Sequence, residues 1–383
     1  MVYYTFSGHL RVASLDREVI KADTESKDVR VLFNKPDRWR LDEGTMPMRQ
    51  VKIGVTPNFV LYHPEQQVYT IVTHTMMDLT YLPRVDQHGE HCDLHPDRDS
   101  NFVWDKTEKF EATLYDKNFR KITVDGKTQH LPIEEYGHVT CLDLVALRRK
   151  GRGTQRYVAL GVTHNMGEDV TSKGKLTLAE VKDNKTYNVI YSDWQRGSLT
   201  AVGAVRGCLI SAVGQKLYIH KMNDSDVDNS SQLLLPLAFL DIGTYMYDIK
   251  CFKHYALVTD LYQGVFLVRF QEIHNANCLS VVARERRTGQ DAMAADLLVS
   301  KEQIGFIKFD TDFNINIYGY EAKGSVRNTA GGMNLTKYAD TRLVTPVNTT
   351  WRVKTNCGAL DSYYKRQVTD LFIEFILKAN NFL

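Results

Sequence analysis

Residues 198–222 read SLTAVGAVRGCLISAVGQKLYIHKM. Three apolar runs, 199–205, 208–213 and 217–222, are separated by Arg206-Gly207 and by Gly214-Gln215-Lys216. Tight glycine-containing breaks between β-branched and apolar runs are the signature of consecutive antiparallel hairpins. The stretch therefore reads as a small meander sheet.

The pattern recurs. Residues 247–270, YDIKCFKHYALVTDLYQGVFLVRF, hold three apolar runs broken at Lys253-His254 and Gln263-Gly264, and residues 294–320 hold three more. A looser copy covers 139–181, and residues 51–75 carry the strand-like runs VKIGV, NFVLYH and VYTIVTH. Taking Thr140, Leu199, Tyr247 and Ala294 as equivalent starts, the separations are 59, 48 and 47 residues. A repeat of roughly 40 to 50 residues with about four strands per unit is the period of a β-propeller blade. A blade is apolar on both faces and cannot bury both alone, so blades must stack. The expected fold is all-β, an incomplete WD40-like propeller of about six blades or parts of blades over 1–356.

The connections are read from composition. Residues 16–48 are polar and charge-mixed, the YNVIY run at 187–191 lies in a link between units, and LLLPLAFLD (233–241) returns the chain to the next blade. Residues 357–383 differ in character: Val368, Leu371, Phe372, Phe375 and Ile376 recur at helical spacing. That spacing allows a short amphipathic helix over 364–378, with an opportunistically packed tail as the plainer reading.

Of the 383 residues, 43% are hydrophobic and 25% charged, enough apolar material for a sizeable core. The net charge of +2 excludes a surface that is cationic throughout, so nucleic acid would need a local patch. Six cysteines without a CxxC pair read as reduced thiols. MVYYTFSGHLRV lacks the basic-then-apolar order of a signal peptide, and no apolar run approaches the ~20 residues of a membrane span, which suggests an intracellular chain.

Few motifs carry chemistry. QHGEHCDLH at 87–95 places His88, His91, Cys92 and His95 within zinc-ligand reach, but His91 and Cys92 are adjacent and no second knuckle follows, so a solvated loop is the better reading. Asp310, Asp312 and Asn314 lack the glycine and distal glutamate of a calcium loop and read as a turn. Nothing near Glu134-Glu135 in sequence would separate their protonation. No catalytic motif, metal site or cofactor is assigned, so an enzyme with a small-molecule substrate is not expected. The strongest basic run is RRKGRGTQR, with Arg148, Arg149, Lys150, Arg152 and Arg156 as candidate phosphate ligands.

The quoted units, with TPNFVLYHPEQQVYTIVT (56–73), EYGHVTCLDLVAL (135–147), IGFIKFDTDFNINIYGY (304–320), GGMNL (331–335) and VNTTWR (347–352), resemble the C-terminal propeller region of the largest subunit of the cleavage and polyadenylation specificity factor. That family shares its design with the large subunit of the UV-damaged DNA-binding protein and a spliceosomal scaffold. His220 stands where relatives often carry a large aromatic, and beyond about Cys357 the resemblance stops. It implies a piece of a much longer nuclear protein, a non-enzymatic scaffold in pre-mRNA 3′-end cleavage and polyadenylation. The implied partners are a WD-repeat subunit, a zinc-finger subunit and, directly or indirectly, pre-mRNA, with no membrane. An adaptor of a cullin ubiquitin ligase, or a spliceosomal scaffold, is the alternative that the wider superfamily implies.

Overall fold

The computed structural model describes residues 2–6, 9–13, 48–78, 106–149, 151, 153–164, 171–223, 233–273, 276–286, 291–299, 304–321, 332–343, 347–354 and 371–375. All regular structure there is β. The chain opens with a three-stranded sheet, β1 (Val2–Phe6), β2 (His9–Ala13) and β3 (Met48–Lys52). The second sheet is β4 (Thr56–His63), β5 (Val68–Asp78), β6 (Lys106–Tyr115) and, past the small hairpin β7 (Thr123–Val124) and β8 (Lys127–Thr128), β9 (His130–Leu131). Three further meanders are β10 (His138–Arg149) to β13 (Tyr187–Gln195) through β11 (Gly153–His164) and β12 (Lys173–Val181); β14 (Leu199–Val205), β15 (Cys208–Val213), β16 (Lys216–Met222) and β17 (Leu234–Asp241); and β18 (Met246–Phe252), β19 (Tyr255–Asp260), β20 (Gly264–Ile273) and β21 (Ala276–Arg284). β22 (Ala294–Val299), β23 (Ile304–Phe309), β24 (Asn314–Gly319) and β25 (Thr336–Arg342) make the next sheet, and β26 (Thr350–Lys354) pairs with β27 (Leu371–Phe375).

There are five antiparallel sheets of four strands, and the last four, starting at His138, Leu199, Met246 and Ala294, stand at the expected period. The first strand of each packs on the first strand of the next, in the order β1, β4, β10, β14, β18, β22, β26. This is the arrangement of propeller blades.

Strand periodicity places the core. Side chains alternate between sheet faces, so neighbouring residues enter different seams. Leu209 packs between the third and fourth sheets with Leu176 and Leu178, while Ile210 joins Ile249, Val258 and Phe266 in the next seam. Leu257 and Leu267 continue to a further seam with Leu297 and Phe306. A seam also carries a buried ion pair: Lys308, fully buried, reaches both oxygens of Glu285 at 2.9 and 2.8 Å.

Four first strands carry a β-bulge near their start, where the register skips Asn58, Thr140, Thr200 and Tyr247. A bulge re-aims a side chain out of the ladder. The Thr140 hydroxyl consequently donates to the Leu199 carbonyl of the next blade, and the Thr200 hydroxyl to the Met246 carbonyl of the blade after it. Thr163 adds a bond to the same Leu199 carbonyl at 3.1 Å. The fourth strands bulge as well, skipping Ile190, Leu237, Val282 and Tyr338.

Several sequence readings change. Residues 187–191 and 234–241 are not links but lie in the outer strands β13 and β17, because an edge strand needs one apolar face and tolerates the Pro236 that weakens its pattern. Val51 and Lys52 of the VKIGV run belong to β3 of the first sheet and pair with β2, not with the TPNFVLYH strand. Within 364–378, where the spacing allowed a helix, the described residues 371–375 instead form β27, in register with 350–354. LFIEF also has a period of two, and pairing with β26 satisfies backbone groups that a short helix could not supply.

Replacing Thr200 by the isosteric valine leaves the Met246 carbonyl without that donor in a buried seam, which should cost about 1–3 kcal/mol; urea unfolding should show a lower midpoint at unchanged slope. Lys308→Ala should be more damaging, about 3–5 kcal/mol by the same measurement, since it strands a buried carboxylate.

Candidate nucleic-acid and docking surfaces

The basic run forms the turn between β10 and β11. Arg148 and Arg149 end β10, where Arg148 is exposed, and Gly151 and Gly153 take the left-handed backbone the turn requires, with φ of 80° and 76°. Lys150 and Arg152 lie outside the described residues, as do His88, His91, Cys92 and His95. Arg156 points elsewhere: on β11 it donates to Glu65 of the preceding blade at 2.9 Å. Of the five predicted cations, Arg156 is thus paired with Glu65 of the preceding blade, while Arg148 and Arg149 stand at the β10–β11 turn.

That ion pair borders a shallow cleft of about 140 Å³ between the second and third sheets, lined by His63, Glu65, Gln66, Arg156 and Glu180 among others. Beneath it His63 bonds the Thr70 hydroxyl at 2.7 Å, and Thr70 bonds Tyr187 of the next blade at 2.6 Å. Burial pushes the His63 imidazole down to about 4 and the Tyr187 phenol upward. This relay is a polar seam tie. Of the paired glutamates, Glu134 contacts Lys175 and lies 3.9 Å from His164, a pairing invisible in sequence because Lys175 is on β12.

The turn between β14 and β15 meets the basic one. The Arg148 amide donates to the Gly207 carbonyl at 2.8 Å, and a Cβ at Gly207 would stand 2.7 Å from the Arg148 Cβ. Arg206 and Gly207 both have positive φ, 52° and 79°, as a type I′ turn requires. On the following blade the equivalent turn carries Lys253, at φ 54°, and His254, whose ring lies 4.2 Å from that of Tyr255. Burial and the charges of Arg206, Arg269 and Lys253 push His254 down.

At the opposite end of the same blade Asp260, fully buried, accepts the backbone N–H groups of Thr244, Tyr245, Tyr262 and Gln263 at 2.7–2.9 Å. One carboxylate thus ties the entry to β18 and the β19–β20 turn together. It holds Tyr245 and Tyr262 in place, 41% and 56% exposed. Asp310 does similar work one blade on, accepting from the Asn314 amide and from the Asn314 and Asn316 side chains, which makes 310–314 a turn. On the first strands, Lys250 lies 3.3 Å from Asp248, and Asp248 followed by Asp143 and Asp296 holds its ammonium above the ordinary lysine range despite burial.

Sequence reasoning missed Arg206, Lys253, His254 and Arg269 because no run joins them; the available signal was a cation in the first-to-second-strand break of successive repeats.

The His63 environment has a measurable consequence. The unfolded chain binds a proton at this site below about pH 6.5 and the folded chain only near pH 4, so acidification through that window destabilises the fold. The loss should reach about 3 kcal/mol at the acid end. A His63→Gln variant followed by urea unfolding at pH 7 and pH 4.5 should lack most of that difference.

Residues 109–362 match the family model described as the CPSF A subunit region. The chain is 28% identical over 325 residues to cleavage and polyadenylation specificity factor subunit 1 of Drosophila melanogaster, covering 82% of this chain and 21% of that protein. A probable subunit 1 from Caenorhabditis elegans is 26% identical over 327 residues, 82% of this chain and 22% of the relative. Protein cft1 of Schizosaccharomyces pombe is 24% identical over 303 residues, 72% of this chain and 19% of the relative. The chain spans about a fifth of the length of these curated relatives. With the family model lying across well over half of its residues and across the repeated sheets, the chain belongs to the CPSF A subunit family.

Proposed function

We propose that the chain is a non-enzymatic scaffold in nuclear pre-mRNA 3′-end cleavage and polyadenylation, and that its turns dock the WD-repeat and zinc-finger subunits of that machinery. Its relatives are named for cleavage and polyadenylation specificity. The observation that carries the reading is the family match laid over a stack of rigid sheets whose buried acids, Asp260 and Asp310, are occupied in holding turns in shape. Turns presented by a rigid stack suit recognition by other proteins. Exposed tyrosines fixed by a buried carboxylate lose little entropy on binding, and tyrosine is enriched where interfaces are hot. The Tyr245–Tyr262 end is therefore the docking surface.

Tagged full-length chain expressed in cells should co-purify with the WD-repeat and zinc-finger subunits. Tyr245→Ala/Tyr262→Ala should reduce that recovery about tenfold, a loss of ~1.4 kcal/mol, without shifting the thermal midpoint. Recovery of cullin ligase or spliceosomal subunits in their place would overturn the proposal.

A further inference from the structure

The first-to-second-strand turns of three consecutive blades lie at one end of the sheets. β10 and β14 run in the same direction: Thr140 near the start of β10 bonds Leu199 at the start of β14, and Arg148 at the end of β10 bonds Gly207 just past β14. Thr200 ties the start of β14 to Met246 at the start of β18 in the same way. The far ends therefore bring together Arg148 and Arg149, then Arg206, then Lys253 and His254. Arg269, opposite Tyr255 on β20, completes the group.

Three features point to an anion. First, Arg206 and Lys253 occupy left-handed positions, φ 52° and 54°, that glycine or asparagine adopts at less cost. Second, cations are crowded here, with His254 feeling Arg206, Arg269 and Lys253 at once, and the carboxylate Glu272 lies to the Cys208 side of the group beside Arg206 and Lys221. Third, the buried Nε of Arg269 has no hydrogen-bond partner among the described residues. Among those residues neither Arg206 nor Lys253 makes an ion pair, whereas the exposed Arg156 on β11 is held by Glu65.

Aromatic groups decide the kind of anion. The imidazole of His254 lies on Tyr255, and Lys253 extends over Phe252 with its Nζ 5.2 Å from the ring centre. Cations that track a backbone beside rings that stack on bases are what a single strand of nucleic acid requires. We propose that this end of the blades binds single-stranded RNA, with Arg148, Arg149, Arg206, Lys253 and Arg269 on phosphates and His254 stacking on an unpaired base. The proposal rests on the 3′-end-processing reading for its choice of RNA, and it places RNA and protein subunits at opposite ends of the sheets.

The full chain is titrated with fluorescein-labelled oligo(U) by polarisation at several salt concentrations. Arg206→Asn/Lys253→Asn removes two charges while easing two left-handed positions, so folding is not at risk. It should weaken binding about tenfold near 0.1 M salt and make the salt slope shallower by about 1.4, two phosphate contacts at ~0.7 each. Arg156→Asn should change neither, and His254→Ala should weaken binding about fivefold. The His254 ring resonance should titrate at higher pH with oligo(U) present, because bound phosphate offsets the neighbouring cations. Unchanged affinity and slope in the double variant overturns the proposal. So does displacement of oligo(U) by polyglutamate at equal charge with no effect of His254→Ala, which assigns the surface to an acidic protein segment. Loss of oligo(U) binding with subunit co-purification intact is the expected behaviour of the double variant; a wild-type chain that binds oligo(U) but recovers no subunit sinks the scaffold reading alone.

Discussion

Each four-stranded sheet of this chain is apolar on both faces, so none can leave water on its own account. Alternation sends Leu209 to one side and Ile210 to the other, and Leu257 and Val258 part in the same way. A helix-covered sheet or a closed sandwich would need one face of a different character. Stacking against copies of itself is the arrangement that buries both faces, and the shared direction of β10, β14 and β18 follows from it. With the first strands aligned, turns of one kind gather at one end and turns of the other kind at the opposite end.

Polar groups inside such a stack must find partners across the seams, because each sheet has already used its own backbone in its ladders. The bulges at Thr140 and Thr200 meet that need by turning a hydroxyl toward the next blade. Thr70 linked to Tyr187, and Lys308 linked to Glu285, serve the same purpose with larger groups. These ties select one rotation and offset between neighbours, which hydrophobic contact alone does not specify. Rigidity at the turns is a by-product: Asp260 can hold four amides only because the strands on either side are fixed by their seams.

In the proposed reading, function lies in what the turns present. The tyrosine end and the cationic end of the fifth sheet are built from the same strands, about one strand length apart, and so can be occupied at once. A cation at a left-handed turn position is a local cost, and such costs persist where a surface is used.

Much of the architecture was legible in the residues. Glycine-punctuated apolar runs at a near-constant spacing were sufficient for the all-β class, the repeat and the strand starts near Thr140, Leu199, Tyr247 and Ala294, because strand alternation and turn chemistry are local properties. The outer strands β13 and β17 were obscured by their half-polar faces, and β27 by an apolar spacing that fits a helix as well as a strand. What belongs to the tertiary structure is everything that depends on one blade meeting another: the bulged threonines and their acceptors, the withdrawal of Arg156 to Glu65, and the meeting of Arg148, Arg206 and Arg269 around His254. Those residues are tens of positions apart in the chain, and their proximity comes from the stacking of two-faced sheets, which no run or spacing records.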